Sequence, residues 1–122
     1  MAKLYFRYAV MNAGKSTQLL QIAHDYDRNG KFMLLAKPKV DTKKDEFISS
    51  RLEDGLIKRR ADLLIEPQDG WVYKEIKKRN EKALSDGSVV SIVLIDEAQF
   101  LSEENVWDLT RVVAYLNIPV IC

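Results

Sequence analysis

Two continuous apolar runs dominate the hydropathy pattern, Phe32-Met33-Leu34-Leu35-Ala36 and Val89-Val90-Ser91-Ile92-Val93-Leu94-Ile95. Runs of this length without polar alternation suit strands buried on both faces, as in a parallel sheet. The first ends at Pro38, where pairing would lose a donor, and the second runs straight into Asp96-Glu97-Ala98-Gln99-Phe100. Lys3 to Tyr8 alternates large and polar side chains, and Ala61 to Ile65 and Ile118 to Cys122 read as further short strands, the former closed by Pro67 and Gly70. Ser49-Ser50-Arg51 and Gly55-Leu56-Ile57 bracket a small hairpin, after a charged loop over Asp41 to Glu46. Between these segments the period changes. Leu19, Ile22, Ala23 and Tyr26 recur at helical spacing, with Gly30 as a stop signal. A weaker helical pattern from Trp71 to Leu84 turns Val72, Ile76 and Ala83 inward, and Asp86-Gly87 makes a turn. A third helix starts at Ser102 as N-cap, with Glu103 and Glu104 in its first turn and Val106, Leu109, Val113 and Leu116 inward. Strands alternating with helices predict an α/β fold, a parallel sheet with helices on both faces, of the P-loop (RecA-like) kind.

The 122 residues fit one domain, 1–122, and a net charge of +1 gives no drive towards nucleic acid or a membrane surface. Lys74, Lys77, Lys78, Arg79 and Lys82 are interleaved with Glu75 and Glu81 and lack aromatic rows, so they read as a solvated helix face. The one cysteine, Cys122, excludes an internal disulfide and favours a reducing compartment. No apolar stretch has the form of a signal peptide or the length of a membrane span, so a cytoplasmic protein is expected. His24 reads as a packed or surface histidine, and Trp71 and Trp107 read as packing residues, not stacking platforms.

The candidate chemistry lies at two places. Met11-Asn12-Ala13-Gly14-Lys15-Ser16-Thr17 sits between the first strand and the first helix, the layout of a phosphate-binding loop. Gly14 lets backbone N–H groups approach an anion, and the helix start aims its unpaired N–H groups at the same spot. Lys15 can then reach the outer phosphates of a nucleotide while the Ser16 hydroxyl sits on Mg²⁺. Ala9 stands where the G-x-x-x-x-G-K-S template has glycine, and the competing reading is a tight strand-to-helix turn with a solvated lysine. The second place is Asp96-Glu97, two carboxylates at the end of an apolar strand, where open α/β sheets bind ligands and an Asp holds Mg²⁺. If Glu97 polarises water the protein is an NTPase; if it takes a proton from a substrate hydroxyl it is a kinase.

Taken together with Ala23-His24-Asp25-Tyr26, Asp41-Thr42, Ser49-Ser50-Arg51, Ile95-Asp96-Glu97-Ala98-Gln99-Phe100-Leu101 and Ile118-Pro119-Val120-Ile121-Cys122, the first motif resembles the thymidine kinases of the cellular, zinc-containing type, in a bacterial-like form. In bacterial members the position of Ala9 is not always glycine. The resemblance implies transfer of the γ-phosphate of ATP to the 5′-hydroxyl of thymidine. By it, Ala9, Val10, Met11, Asn12, Ala13, Gly14, Lys15, Ser16 and Thr17, with Asp96, Glu97, Ala98 and Gln99, hold ATP. Ser16, Asp96 and Asp41 serve Mg²⁺, Glu97 is the catalytic base, and Met11, Phe100 and Asp41 meet the nucleoside. The family is commonly tetrameric, so a homo-oligomer is expected. Two departures follow: Lys43 replaces an arginine able to grip phosphate in a bidentate manner, and the family's C-terminal zinc and lasso part is expected to be absent from these 122 residues. Zn²⁺ is implied by the family, yet one Cys and one His cannot make its four-ligand site. The alternatives are a P-loop ATPase or helicase-type fragment, because Asp-Glu-Ala-Gln resembles the helicase Asp-Glu box, and a non-catalytic nucleotide-binding module.

Overall fold

A computed structural model describes residues 2–6, 15–39, 47–52 and 55–122. In chain order the elements are β1 (Leu4–Tyr5), α1 (Lys15–Arg28), β2 (Phe32–Pro38), β3 (Phe47–Leu52), β4 (Gly55–Arg60), β5 (Leu63–Ile65), α2 (Trp71–Ser85), β6 (Val90–Ile95), α3 (Glu103–Arg111) and β7 (Val120–Ile121). A parallel five-stranded sheet runs in the order β1-β7-β6-β2-β5, and β3 and β4 form a separate antiparallel hairpin. The α/β fold class and its helices on both faces follow the apolar pattern.

The strand order explains which helix covers which face. From β1 the chain passes over the places of β7 and β6 to reach β2, then from β5 it turns back to β6 and on to β7. Right-handed crossovers in opposite directions put their helices on opposite faces. Accordingly α1 packs through Leu19 and Ala23 with Met33, Leu35, Ile92, Leu94 and Ile48 of the hairpin. The other face carries Leu34, Ala36, Val93, Ile95, Leu63, Ile65 and Val120 against Val72, Ile76 and Ala83 of α2 and Leu109 of α3. Successive residues of β2 thus enter opposite cores, which is why its sequence shows no polar alternation. An irregularity interrupts this at the start of β6. Phe32 pairs with Val90 but Met33 pairs with Ile92, so Ser91 is an extra residue, and Val90 and Ile92 fall in different cores.

Helix α1 also fixes which end of the sheet it begins at. It ends at Arg28, just before β2 begins at Phe32, so its C-terminus lies at the amino ends of the strands. Its 14 residues reach back about 21 Å at about 1.5 Å per residue, close to the about 23 Å spanned by β2. Its first turn, Lys15 to Thr17, therefore lies at the carboxyl end of the sheet. At the other end of α1, Arg59 Nη1 of the hairpin donates to Asp27 Oδ2 at 2.6 Å.

The inward face expected for α3 needs correction. The buried residues of that helix are Asn105, Asp108 and Leu109, continued by Val112 in the single π turn over Val112–Leu116. Val106 is half-buried, while Val113 and Leu116 pack at the margin of the core. Trp107, expected as a packing residue, is 63% exposed, whereas Trp71 does pack against the core. The helix is turned so that two polar side chains face inward, where each finds hydrogen-bond partners, and Trp107 faces outward.

Candidate active site at the carboxyl end of the sheet

β2 and β6 end side by side, with Ala36 paired to Ile95, and the next residue, Asp96, still belongs to this ladder through its N–H to the Ala36 carbonyl at 2.9 Å. Asp96 is 5% exposed, so its carboxylate sits at the floor of the sheet end. Immediately after it the backbone reverses. Glu97 has φ 58° and ψ 38°, the left-handed region that a side chain with Cβ enters at a cost of about 1 to 2 kcal/mol. One turn of 3-10 helix over Ala98–Phe100 follows, closed by Phe100 N–H to the Glu97 carbonyl at 3.0 Å and Leu101 N–H to the Ala98 carbonyl at 3.1 Å. Glu97 is half-buried, and its Oε2 accepts from Gln99 Nε2 at 3.1 Å. Phe100 is 57% exposed, an apolar ring left in reach of a ligand. A strained non-glycine residue carrying a carboxylate is the kind of feature that collects at functional sites.

Of the residues singled out from sequence, Asp96, Glu97, Ala98, Gln99 and Phe100 are gathered in this one turn. The backbone of Lys15, Ser16 and Thr17 opens α1 at the same end of the sheet. Ala9, Val10, Met11, Asn12, Ala13 and Gly14, like Asp41 and Lys43, lie outside the described residues. Asp96 brings a hard, oxygen-only donor suited to Mg²⁺, which is normally held by one or two carboxylates together with phosphates and water. Among the described residues no cluster of three or more His, Cys, Asp or Glu side chains stands close enough to cage a metal.

Two residues beside the site escaped the sequence reading. Asn105 joins Ser102 in a reciprocal capping box: the Asn105 N–H donates to Ser102 Oγ at 3.1 Å, and the Ser102 N–H donates to Asn105 Oδ1 at 3.2 Å. The Asn105 side-chain amide also donates to the Glu66 carbonyl at 2.9 Å. Asp108 accepts the Tyr73 N–H at 2.8 Å through Oδ2 and Arg111 Nη1 at 3.0 Å through Oδ1. The bond from the Tyr73 N–H caps α2 from another helix, because the N-cap of α2 is Gly70, at φ 78° and without a side chain to do so. The Ser-x-x-Asn spacing was the available signal for Asn105, although the usual partner is Glu or Gln. For Asp108 there was none.

The sequence from residue 2 to residue 122 matches the family model of thymidine kinase. The chain belongs to the thymidine kinase family. A thymidine kinase of Xanthomonas axonopodis pv. citri (strain 306) is 44% identical over 125 residues, covering 100% of this chain and 54% of the relative. One from Idiomarina loihiensis is 41% identical over 127 residues, covering 100% and 58%. One from Streptococcus pyogenes serotype M3 (strain MGAS315) is 39% identical over 122 residues, covering 98% and 58%. The chain thus spans a little over half the length of these curated thymidine kinases. Among its described residues no helix is long and apolar enough to cross a membrane.

Proposed function

We propose that this chain is the nucleotide-binding part of an enzyme that transfers the γ-phosphate of ATP to the 5′-hydroxyl of thymidine. The observation that carries the reading is the strained carboxylate turn Asp96–Phe100, at the same end of the sheet as the first turn of α1, in a chain of the thymidine kinase family. Ala9 to Gly14 and the first turn of α1, Lys15 to Thr17, cradle the phosphates with backbone N–H groups, and Lys15 adds a cation. Ser16, Asp96 and Asp41 would hold Mg²⁺, which when bound offsets charge on the β- and γ-phosphate oxygens. Met11, Asp41 and Phe100 receive the nucleoside, Phe100 with its exposed ring against the base. Glu97 accepts the proton of the 5′-hydroxyl as that oxygen forms its bond to the γ-phosphorus and the bond to the β,γ-bridging oxygen breaks, releasing ADP. Gln99 donates to Glu97 and so restricts where the carboxylate points. By family resemblance the working enzyme is a cytoplasmic homo-oligomer.

The test uses the full-length product of the gene, radiolabelled ATP and thymidine. Label should appear in thymidine monophosphate, and Glu97→Gln should abolish that transfer while leaving ATP binding nearly intact. Equal loss of both would make Glu97 a structural residue. Hydrolysis accelerated by single-stranded DNA, without transfer to thymidine, would instead favour a motor ATPase.

A further inference from the structure

The Glu97–Leu101 turn is a short bridge between two fixed points. At its start the Asp96 N–H is tied to Ala36 in the sheet. At its end stands Ser102, whose N–H is held by Asn105 Oδ1, while Asn105 Nδ2 is held by the Glu66 carbonyl where the chain leaves β5. Asn105 is 1% exposed and both ends of its amide are engaged, so it is a rigid strut between the start of α3 and a separate strand exit. Five residues span the gap, and they do so with Glu97 in a left-handed conformation that costs free energy. Such a conformation persists only while the surroundings over-determine it.

Resting on the kinase reading above, we propose that Asn105 is the positioning residue that keeps the Glu97 carboxylate aimed at the acceptor hydroxyl. It touches no reactant. It acts by fixing the far end of the turn, so that relaxation of Glu97 towards ordinary backbone angles is blocked. Without the strut, the Ser102 end is free to shift and the carboxylate moves with it. A displacement of about 1 Å at a reacting group lowers turnover by about 10²-fold.

Asn105→Asp tests this in the full-length protein. It keeps an oxygen for the Ser102 N–H but sets another oxygen against the Glu66 carbonyl. Ser102→Ala is the control: it removes the hydroxyl that caps α3 and leaves the Asn105 bond to Glu66 in place. The expected result for Asn105→Asp is a fall in kcat of about 10- to 100-fold with the KM for ATP changed little. The amides of Phe100 and Leu101, which close the turn, should exchange hydrogen faster. Ser102→Ala should lower the unfolding midpoint yet keep kcat within about twofold, with those amides protected, because capping acts mainly on helix stability. Asn105→Ser, too short to span to Glu66, gives the same readout should Asn105→Asp not fold. Unchanged kcat together with unchanged exchange in the Asn105 variants would overturn the proposal, as would an equal loss of kcat in Ser102→Ala. If the unsubstituted protein transfers nothing to thymidine, the kinase reading falls, and the exchange of Phe100 and Leu101 still decides whether Asn105 holds the turn.

Discussion

Glu97 and Asp108 are carboxylates only eleven positions apart in the stretch that follows β6, yet their surroundings differ in the respects that matter to a charge. Asp108 is fully buried, sits on a regular helix, and has both oxygens engaged by the Tyr73 N–H and Arg111. Glu97 is half-buried, sits on backbone in the left-handed region, and leans on the flexible side chain of Gln99. A buried polar group that builds a fold needs its partners in place and ordinary geometry beneath it. A group that acts on a ligand must stay within reach, and strain is tolerated there if it aims the side chain. We propose from this contrast that Asp108 serves stability and Glu97 serves chemistry.

The largest expected effect on that contrast comes from the neighbour of Glu97. Asp96→Asn should lower kcat/KM by about 10²- to 10³-fold, in line with loss of one preorganised electrostatic group, and should raise the Mg²⁺ concentration needed for half-maximal rate. A rate that no longer depends on which residue occupies position 96 would remove Asp96 from the site. Next comes Asp108→Ala, which strands the Tyr73 N–H and uncaps α2. It should destabilise the fold by about 2 kcal/mol in urea unfolding, with an unchanged denaturant slope. A cost near zero would mean that α2 is held by its apolar face alone. The smallest effect on stability has the opposite sign. Glu97→Gly relieves the left-handed backbone and should stabilise the protein by about 0.5 to 1 kcal/mol while removing transfer activity. Destabilisation instead would show that the side chain, and not the backbone angle, is what the turn needs.

The sheet was legible in the sequence because parallel strands covered on both faces read as unbroken apolar runs. Leu34 and Leu35 each enter a core, and Val72, Ile76 and Ala83 of α2 are buried at the spacing expected. The face of α3 was not legible. Asn105 and Asp108 look solvated until Glu66 and Tyr73, which are 39 and 35 positions away, arrive to receive them. Trp107 reads as core by its size and lies outside because those two side chains set the rotation of the helix. The extra residue at Ser91 has no local signal either, since it reflects pairing with β2. At the site, acidic residues after a long apolar strand marked its place. The left-handed backbone of Glu97 had no sequence signature, because glutamate has no preference for that conformation and the turn is imposed from both ends.

The measurement that tests the distinction most directly pairs Glu97→Gln with Asp108→Asn in the full-length protein, following phosphate transfer to thymidine and urea unfolding on the same samples. The account predicts that Glu97→Gln loses transfer and keeps its unfolding midpoint, while Asp108→Asn unfolds at lower urea and transfers phosphate normally per folded molecule. The reverse pattern, with activity lost at position 108 and stability lost at position 97, would contradict it.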